Sequence, residues 1–172
     1  GVLRTLPNMT VIMPADYWSA RKLVAAAAEM NGPCYLRFTR DAIPVIYDEN
    51  TTFEIGKANL LKDGKDVAII ANGDTVRLAL EAAEVLAGKG ISARVLDMHT
   101  IKPLDSELVR AYAAKCGKVF TVEEHSVIGG LGDAVGDVLL SGGVACSFKK
   151  IGVQDVFGQS GKAMDVLAEY GL

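Results

Sequence analysis

Cysteine, clustered positive charge and long apolar runs are scarce in this sequence, and each shortage excludes a class of protein. The 172 residues include 3 cysteines, an odd number without CxxC spacing, so neither a disulfide framework nor a zinc site is indicated. Lysine and arginine total 18 against 21 acidic residues, a formal net charge of −3, and they do not gather in runs. Nucleic acid binds clustered positive charge through its phosphates, so we exclude it as a partner.

The apolar content also limits the class of protein. No apolar run approaches the roughly 20 residues needed to cross a bilayer, and the N-terminus lacks a basic segment followed by an apolar one. We therefore expect a cytoplasmic protein without a membrane partner, whose cysteines are reduced and mostly buried. With 50% of its residues apolar, a chain of this length can form one α/β domain, or one domain and part of another.

The beginning of the chain predicts a strand, a helix and a strand. It opens GVLRTLPNMT without an initiator methionine, so we expect a processed product or a piece of a longer polypeptide. A short apolar run at 9–14 predicts a strand. Asp16 is a suitable N-cap for an Ala-rich helix over 18–30, which Asn-Gly-Pro then ends. Alternation over 34–40 predicts the second strand.

A linker and a longer α/β region are predicted after this. Residues 41 to about 54 have no sustained period, which indicates a linker. Two strands then meet at Lys62–Lys65, an Asp-Gly turn that can supply positive φ. Apolar strands and helices then alternate to the end of the chain. SARVLDMHT, residues 92–100, is predicted to be one strand, and Asp105 is predicted to cap the helix SELVRAYAAKC, which Gly117 ends. The alternation predicts a mainly parallel sheet with helices on both faces. Ligands of such sheets bind at the carboxyl ends of the strands.

The stretch EEHSVIGGLGDA, residues 123–134, places two carboxylates and an imidazole before a glycine-rich helix start. Its glycines could turn backbone N–H groups toward an anion, but the spacing fits neither a P-loop nor the dinucleotide fingerprint. Alternatively, the glycines permit tight packing, and Glu124 and His125 hydrogen-bond each other or nearby backbone. We favour this structural alternative, since no nucleophile or metal set accompanies the histidine.

Arg40 is the strongest candidate for a ligand contact. It closes the strand ending FTR, where a guanidinium can project from the sheet edge and bind phosphate or carboxylate with paired N–H donors. The alternative is a surface salt bridge with Asp41 or another acid. His99 lacks partners that would indicate a site, and Lys102 is expected to be a solvated loop charge.

Several motifs together resemble one family. The order PNMTVIMPAD, GPCYLRFTRDAIPV, VLDMHTIKPLD, VEEHSVIGGLGDAV and DVFGQSGKAMDVLAEYGL is similar to the C-terminal part of the transketolase family of thiamine diphosphate enzymes. More narrowly, it resembles the C-terminal subunit found where transketolase is encoded as two polypeptides. The resemblance implies that residues 1–44 are the tail of a pyrimidine-binding domain, 45–53 a linker, and 54–172 a complete transketolase C-terminal domain.

The resemblance also implies a reaction and a division of roles. Transketolases transfer a two-carbon ketol unit between sugar phosphates with thiamine diphosphate and Mg²⁺. The family's catalytic glutamate and metal signature lie outside this segment, so we expect no catalytic, cofactor-binding or metal-binding residue here, and no activity from this chain alone. Arg40 matches the family's arginine for the sugar phosphate. Glu124 and His125 fall in a motif that helps build the dimer, or His125 lines the substrate channel.

Partners and alternatives follow from the same resemblance. The implied partners are an N-terminal transketolase section or subunit, in a homodimer or heterotetramer, and sugar phosphates. MHTIKPLD also resembles the pattern of deoxyxylulose phosphate synthase and of the β subunit of 2-oxo acid dehydrogenases, which are the alternatives within the superfamily. A non-catalytic interaction module is the alternative outside it.

Overall fold

The computed structural model describes residues 1–40 and 42–172 and contains two sheets. The smaller sheet has three strands in the order β2-β1-β6, and the larger has five in the order β3-β5-β4-β7-β8. The elements are α1 (Val2–Thr5), β1 (Thr10–Ile12), α2 (Tyr17–Ala28), β2 (Cys34–Leu36), β3 (Asn59–Lys62), β4 (Val67–Ala71), α3 (Thr75–Ala87), β5 (Ala93–Asp97), β6 (Thr100–Lys102), α4 (Ser106–Cys116), β7 (Lys118–Ser126), α5 (Leu131–Ser141), β8 (Ser147–Val153) and α6 (Ala163–Glu169).

The larger sheet confirms the predicted α/β class. Strands β5, β4, β7 and β8 are parallel, and β3 adds an antiparallel edge. Successive side chains of a strand point to opposite faces, so Val67 and Ile69 of β4 pack in the cluster that contains α3. Ala68 and Ile70 pack in the cluster that contains α4 and α5. Helices therefore cover both faces of the sheet.

Several predicted helix ends are confirmed by their capping contacts. Asp16 accepts from the Ser19 N–H at 2.8 Å and completes a capping box at α2. Asp105 caps α4 through the Leu108 N–H, and Gly117 ends that helix in the left-handed region at φ 64°. That conformation favours glycine because other residues carry a Cβ that clashes there.

The predicted turn at Lys62–Lys65 does not join two neighbouring strands. Strand β5 lies between β3 and β4, so the two strands are connected in sequence without being paired. Gly64 does not adopt positive φ. It is required for another reason, because a Cβ at this position would lie 2.3 Å from the carbonyl carbon of Ala93.

The single strand predicted around SARVLDMHT is two strands. Strand β5 ends at Asp97, and the chain then crosses to the smaller sheet, where β6 pairs antiparallel with β1. The Met13 N–H donates to the His99 carbonyl at 2.8 Å at the crossing. The two sheets are thus connected by one continuous segment of chain.

Two further expectations differ from the structure in detail. The first strands are shorter than predicted, although the Arg37 N–H extends the contact with β1 by donating to the Ile12 carbonyl at 2.9 Å. The three cysteines are free, but each is only partly buried. Among the described residues, no helix has both the length and the apolar character to cross a bilayer.

Candidate functional site

The first turn of α5 binds a carboxylate from the same chain, the side chain of Glu123. Glu123 is 1% exposed and lies on β7. Its Oε2 accepts from the Leu131 N–H at 2.7 Å, and its Oε1 accepts from the Gly132 N–H at 2.8 Å. Two of the N–H groups that could turn toward an external anion, those of Leu131 and Gly132, are therefore occupied by a side chain of the same chain.

The glycine cluster is shaped by this internal cap. A Cβ on Gly130 would lie 1.9 Å from Glu123 Oε2, so a larger residue would displace the carboxylate. Burial raises the pKa of Glu123, against the two backbone N–H donors, which lower it. The sequence did not predict this role for Glu123, since the contact depends on how close β7 and α5 come in space.

The loop between β7 and α5 is fixed by a second set of contacts. Lys150 Nζ donates to Asp133 Oδ1 at 2.6 Å and to the Val127 carbonyl at 2.9 Å. Asp133 Oδ2 accepts from the Gly129 N–H at 2.5 Å. The Lys150 ammonium beside it lowers the pKa of Asp133. The loop is therefore held at Val127 and Gly129 by one ion pair whose two side chains are each about one-third exposed, at 32% and 33%.

His125 and Glu124 contact different parts of the chain. His125 Nδ1 lies 2.6 Å from the Ser126 carbonyl oxygen, and Nε2 lies 3.0 Å from the Gly1 nitrogen. The Glu124 carbonyl accepts from Arg37 Nη1 at 2.8 Å, and its carboxylate lies 3.9 Å from Arg37 Nη2. These contacts join the end of β7 to the N-terminal part of the chain.

Two neighbouring cavities surround these residues. One of about 400 Å³ is lined by Glu123, Glu124 and His125 together with Arg37. The other, of about 360 Å³, is lined by Arg37, Arg40 and Glu124. The structure thus brings Arg40 and Glu124 to the same cavity and places His125 in the adjacent one. Asp41, the predicted salt-bridge partner of Arg40, lies outside the described residues.

Hydrogen bonds to two buried carboxylates, those of Asp16 and Asp97, hold the predicted linker in place. Tyr47 donates its hydroxyl to Asp97 Oδ2 at 2.7 Å, while Asp16 Oδ2 accepts from the Ile46 and Tyr47 N–H groups at 2.9 and 2.8 Å. Burial raises the pKa of Asp97 to about 7. Burial, with the Asp97 carboxylate nearby, also raises the pKa of Tyr47.

His99 and Lys102 lie near this junction. His99 is fully buried, with its ring centroid 5.5 Å from that of Phe53, and burial lowers its pKa to about 4. Lys102 is not the solvated loop charge that we expected. Its Nζ donates to the carbonyls of Arg4 and Leu6 at 3.0 and 2.5 Å, and so supplies donors to carbonyls at the C-terminal end of α1.

Comparisons with known proteins match both parts of the chain to transketolase domains. Residues 56–172 match the family model of the transketolase C-terminal domain, and residues 1–45 match that of the transketolase pyrimidine-binding domain. An apulose-4-phosphate transketolase subunit of Phocaeicola vulgatus is 45% identical, over 100% of this chain and 55% of its own length. A 1-deoxy-D-xylulose-5-phosphate synthase of Heliobacterium modesticaldum is 38% identical, over 99% of this chain and 27% of its own.

The fold also matches a solved transketolase structure. The structure described as a split gene transketolase, inactive β4 tetramer, superposes with a TM-score of 0.96 at 47% identity, over 99% of this chain and 56% of that one. The chain spans about half the length of the transketolase relatives it matches. Because the C-terminal-domain model matches more than half of its residues, the chain belongs to the transketolase family of thiamine diphosphate-dependent enzymes.

Proposed function

We propose that this chain is the C-terminal part of a transketolase-type enzyme that transfers a two-carbon ketol unit between sugar phosphates. The observation that carries the proposal is the 47% identity and TM-score of 0.96 with a split gene transketolase over 99% of this chain. A relative of 45% identity is described as acting on a phosphorylated substrate, apulose 4-phosphate. That description supports a sugar phosphate as the substrate class here.

The division of the chain is part of the proposal. We assign residues 1–44 to the tail of a pyrimidine-binding domain, 45–53 to a linker and 54–172 to the C-terminal domain. Residues 42–58 contain neither helix nor strand, which supports a linker. The contacts of Asp16 with Ile46 and Tyr47 support a linker that is packed in place rather than a free spacer.

We place the cofactor of the complete enzyme on residues outside this chain. Thiamine diphosphate, when bound, supplies the nucleophile and electron sink of ketol transfer. Among residues 1–40 and 42–172, no three His, Cys, Asp or Glu side chains gather in a way that could hold a metal. We propose that the Mg²⁺ site also lies outside this chain and that the chain is inactive without the rest of the enzyme.

Arg40 is the residue that we propose to contact substrate. It is exposed and lines the cavity of about 360 Å³. A guanidinium group can hold phosphate with two parallel N–H donors, which gives both affinity and orientation. The alternative is that Arg40 forms only a surface salt bridge with a nearby acid.

Glu124 and His125 are proposed to be structural or interfacial. Glu124 holds Arg37 and thereby ties the segment after β2 to the end of β7. His125 lies beside Gly1 and faces a cavity, so its alternative role is to line the substrate channel.

The partner is proposed to be the N-terminal transketolase section or subunit, in a homodimer or heterotetramer. A solved relative of 47% identity is described as an inactive β4 tetramer. That description supports both self-association and the need for a second kind of subunit. We also propose a cytoplasmic location.

Deoxyxylulose phosphate synthase is the main competing assignment. A synthase is 38% identical to this chain, lower than the 45% of a transketolase subunit, so transketolase fits better. The β subunit of a 2-oxo acid dehydrogenase and a non-catalytic interaction module are the two remaining candidates. The dehydrogenase subunit would belong to a complete enzyme that catalyses a different reaction, and the interaction module would catalyse none.

Reconstitution tests the proposed function. The full-length subunit containing this chain is combined with its N-terminal partner, thiamine diphosphate and Mg²⁺, and supplied with a ketose phosphate donor and an aldose phosphate acceptor. We expect transfer of two carbons, detected as the extended ketose phosphate. Condensation of pyruvate with an aldose phosphate, in place of ketol transfer, would favour the synthase and contradict the proposal.

A further inference from the structure

The segment that carries Arg40 follows β2 and has no regular secondary structure. Strand β2 ends at Leu36, and residues 37–40 belong to neither a helix nor a strand. The Arg37 N–H still donates to the Ile12 carbonyl at 2.9 Å, which fixes the backbone where the segment begins. Because the strand has ended, contacts made by the side chains of this segment help to set where Arg40 lies.

The side chain of Arg37 contacts the end of β7. Its Nη1 donates to the Glu124 carbonyl at 2.8 Å, and its Nη2 lies 3.9 Å from the Glu124 carboxylate. Both side chains are partly buried, with 33% and 38% of their surface exposed. A hydrogen bond from a charged donor is stronger than one between neutral groups, and a partly buried pair is screened less than a fully exposed one. This contact therefore holds the start of the segment 37–40 against β7.

A bulge in β7 presents Glu124 to Arg37. Strand β7 pairs with β8 at Val122 and again at Ser126, whose partners on β8 are residues 151 and 153. Three residues of β7, 123–125, therefore oppose the single residue 152 of β8. A bulge leaves its extra residues out of the regular ladder and re-aims the groups that they carry. The Glu124 carbonyl is thus available to accept from a donor outside the larger sheet.

Close packing on both sides holds this bulge in place. A Cβ at Gly152 of β8 would lie 2.8 Å from the His125 carbonyl oxygen and 3.0 Å from the Glu123 carbonyl oxygen, so glycine is required where the two strands meet. The Glu123 side chain also caps α5 through two backbone N–H groups. The residues on either side of Glu124 are therefore fixed, and Glu124 gives Arg37 a rigid point of attachment.

We propose that the contact between Arg37 and Glu124 positions Arg40, so that the C-terminal domain influences substrate binding through Arg40. Arg37 and Arg40 lie within the residues that match the pyrimidine-domain model, and Glu124 lies within those that match the C-terminal-domain model. Arg37 is a positioning residue in this arrangement, because its guanidinium group faces Glu124. The inference rests on the proposed function, which places Arg40 against the substrate.

The test uses the complete enzyme and two acceptors, a sugar phosphate and the same sugar without phosphate. Arg37→Ala is expected to raise KM for the phosphorylated acceptor about 3- to 10-fold, with kcat and the other KM nearly unchanged, because a misplaced Arg40 binds more weakly. In an Arg40→Ala background, Arg37→Ala should raise that KM no further. Additive effects of the two substitutions would overturn the inference, since Arg37 would then act independently of Arg40.

Arg4→Ala is the matched control. Arg4 also belongs to the pyrimidine-domain match and lies 3.7 Å from a carboxylate of the C-terminal-domain match, that of Asp137, but it does not line the cavity that contains Arg40. Arg4→Ala should leave both KM values nearly unchanged. A rise of the same size in Arg4→Ala and Arg37→Ala would mean that any contact between the two domains has this effect, and would contradict the inference.

A conservative variant keeps the inference testable if Arg37→Ala does not assemble. Arg37→Lys retains the charge but lacks the paired donors of a guanidinium group, so its KM for the phosphorylated acceptor should fall between those of the wild type and Arg37→Ala. It should also have no effect in an Arg40→Ala background. Equal rises in KM for both acceptors, in either Arg37 variant, would overturn the inference.

Failure of this inference is separable from failure of the proposed function. If Arg40→Ala raised KM for the phosphorylated acceptor and Arg37→Ala did not, the inference would fail while the proposed role of Arg40 would stand. A complete enzyme that transfers no ketol unit would overturn both.

Discussion

The carboxylate of Glu123 caps the helix that begins at Leu131, with Oε2 2.7 Å from the Leu131 nitrogen. Glu123 belongs to the stretch whose sequence most resembles an acid–base site, but its carboxylate stabilises the fold. The N–H groups at the glycine-rich start of α5 bind this carboxylate, which lies on the preceding strand, β7. Glu123 is therefore occupied within the fold, whereas Arg40 lines a cavity of about 360 Å³.

Removal of the Glu123 cap is expected to destabilise the chain. Glu123→Ala leaves two buried N–H groups without an acceptor, which should lower the free energy of unfolding by about 2 to 4 kcal/mol. Urea denaturation at pH 7 measures the change. Glu169→Gln, at an exposed position at the end of α6, is the control and should differ little from the wild type.

Gly130→Ala tests the same contact from the other side. The added Cβ would lie 1.9 Å from Glu123 Oε2, so we expect a loss of about 1 to 3 kcal/mol in the free energy of unfolding. In a Glu123→Ala background the loss should be smaller, because the clashing carboxylate is gone. Gly158→Ala, where a Cβ meets nothing within 4 Å, is the control. Equal losses in both backgrounds would show that the glycine serves another purpose.

Asp97 should make stability depend on pH. Its folded-state pKa is raised to about 7 from 3.8, so the folded state favours the protonated acid. This contribution is complete below the unfolded pKa and is lost as pH rises through about 7. The stability of the wild type relative to Asp97→Asn should therefore fall by on the order of 3 kcal/mol between pH 4.5 and 7.5.

In the difference between the stabilities of the wild type and Asp97→Asn, the contributions of the other titrating groups cancel, because both proteins contain them. Among these is His99, whose folded-state pKa is lowered to about 4 from 6.5. Its contribution is present above 6.5 and is lost as pH falls toward 4, which is the opposite slope. Parallel stability curves for the wild type and Asp97→Asn would mean that Asp97 is ionised in the folded protein.

Capping and burial patterns were predictable from the sequence because they depend on neighbouring residues. Asp16, Asp105 and Gly117 act where the chain pattern placed them. The pairing of β3 with β5 was not predictable, since the Asp-Gly turn points to a local hairpin and the actual neighbour lies more than 30 residues away along the chain.

The internal cap by Glu123 and the role of Lys102 could not be predicted for the same reason. Each depends on which elements become neighbours in space, and a single sequence does not record it. The candidate site follows the same rule. Arg40 was identified from its position at a strand end, whereas the fold alone brings Glu124 to the cavity that Arg40 lines.

Arg40 is expected to discriminate between acceptors. In the complete enzyme, Arg40→Ala should raise KM for a phosphorylated sugar about 10- to 100-fold, because a charge-assisted contact with phosphate is lost, and should change KM for the unphosphorylated sugar little. Steady-state kinetics with both acceptors measures this. Arg21→Ala is the control, because Arg21 does not line the cavity of about 360 Å³. An equal effect of Arg40→Ala on both acceptors would rule out a phosphate contact at this residue.

We propose that polypeptide outside these 172 residues completes the reaction centre. Isothermal titration calorimetry of thiamine diphosphate with Mg²⁺ tests it most directly, on this chain alone and on the full-length subunit assembled with its N-terminal partner. We predict no binding to the chain alone and saturable, magnesium-dependent binding to the assembly. Tight magnesium-dependent binding of the cofactor by the chain alone would contradict the claim.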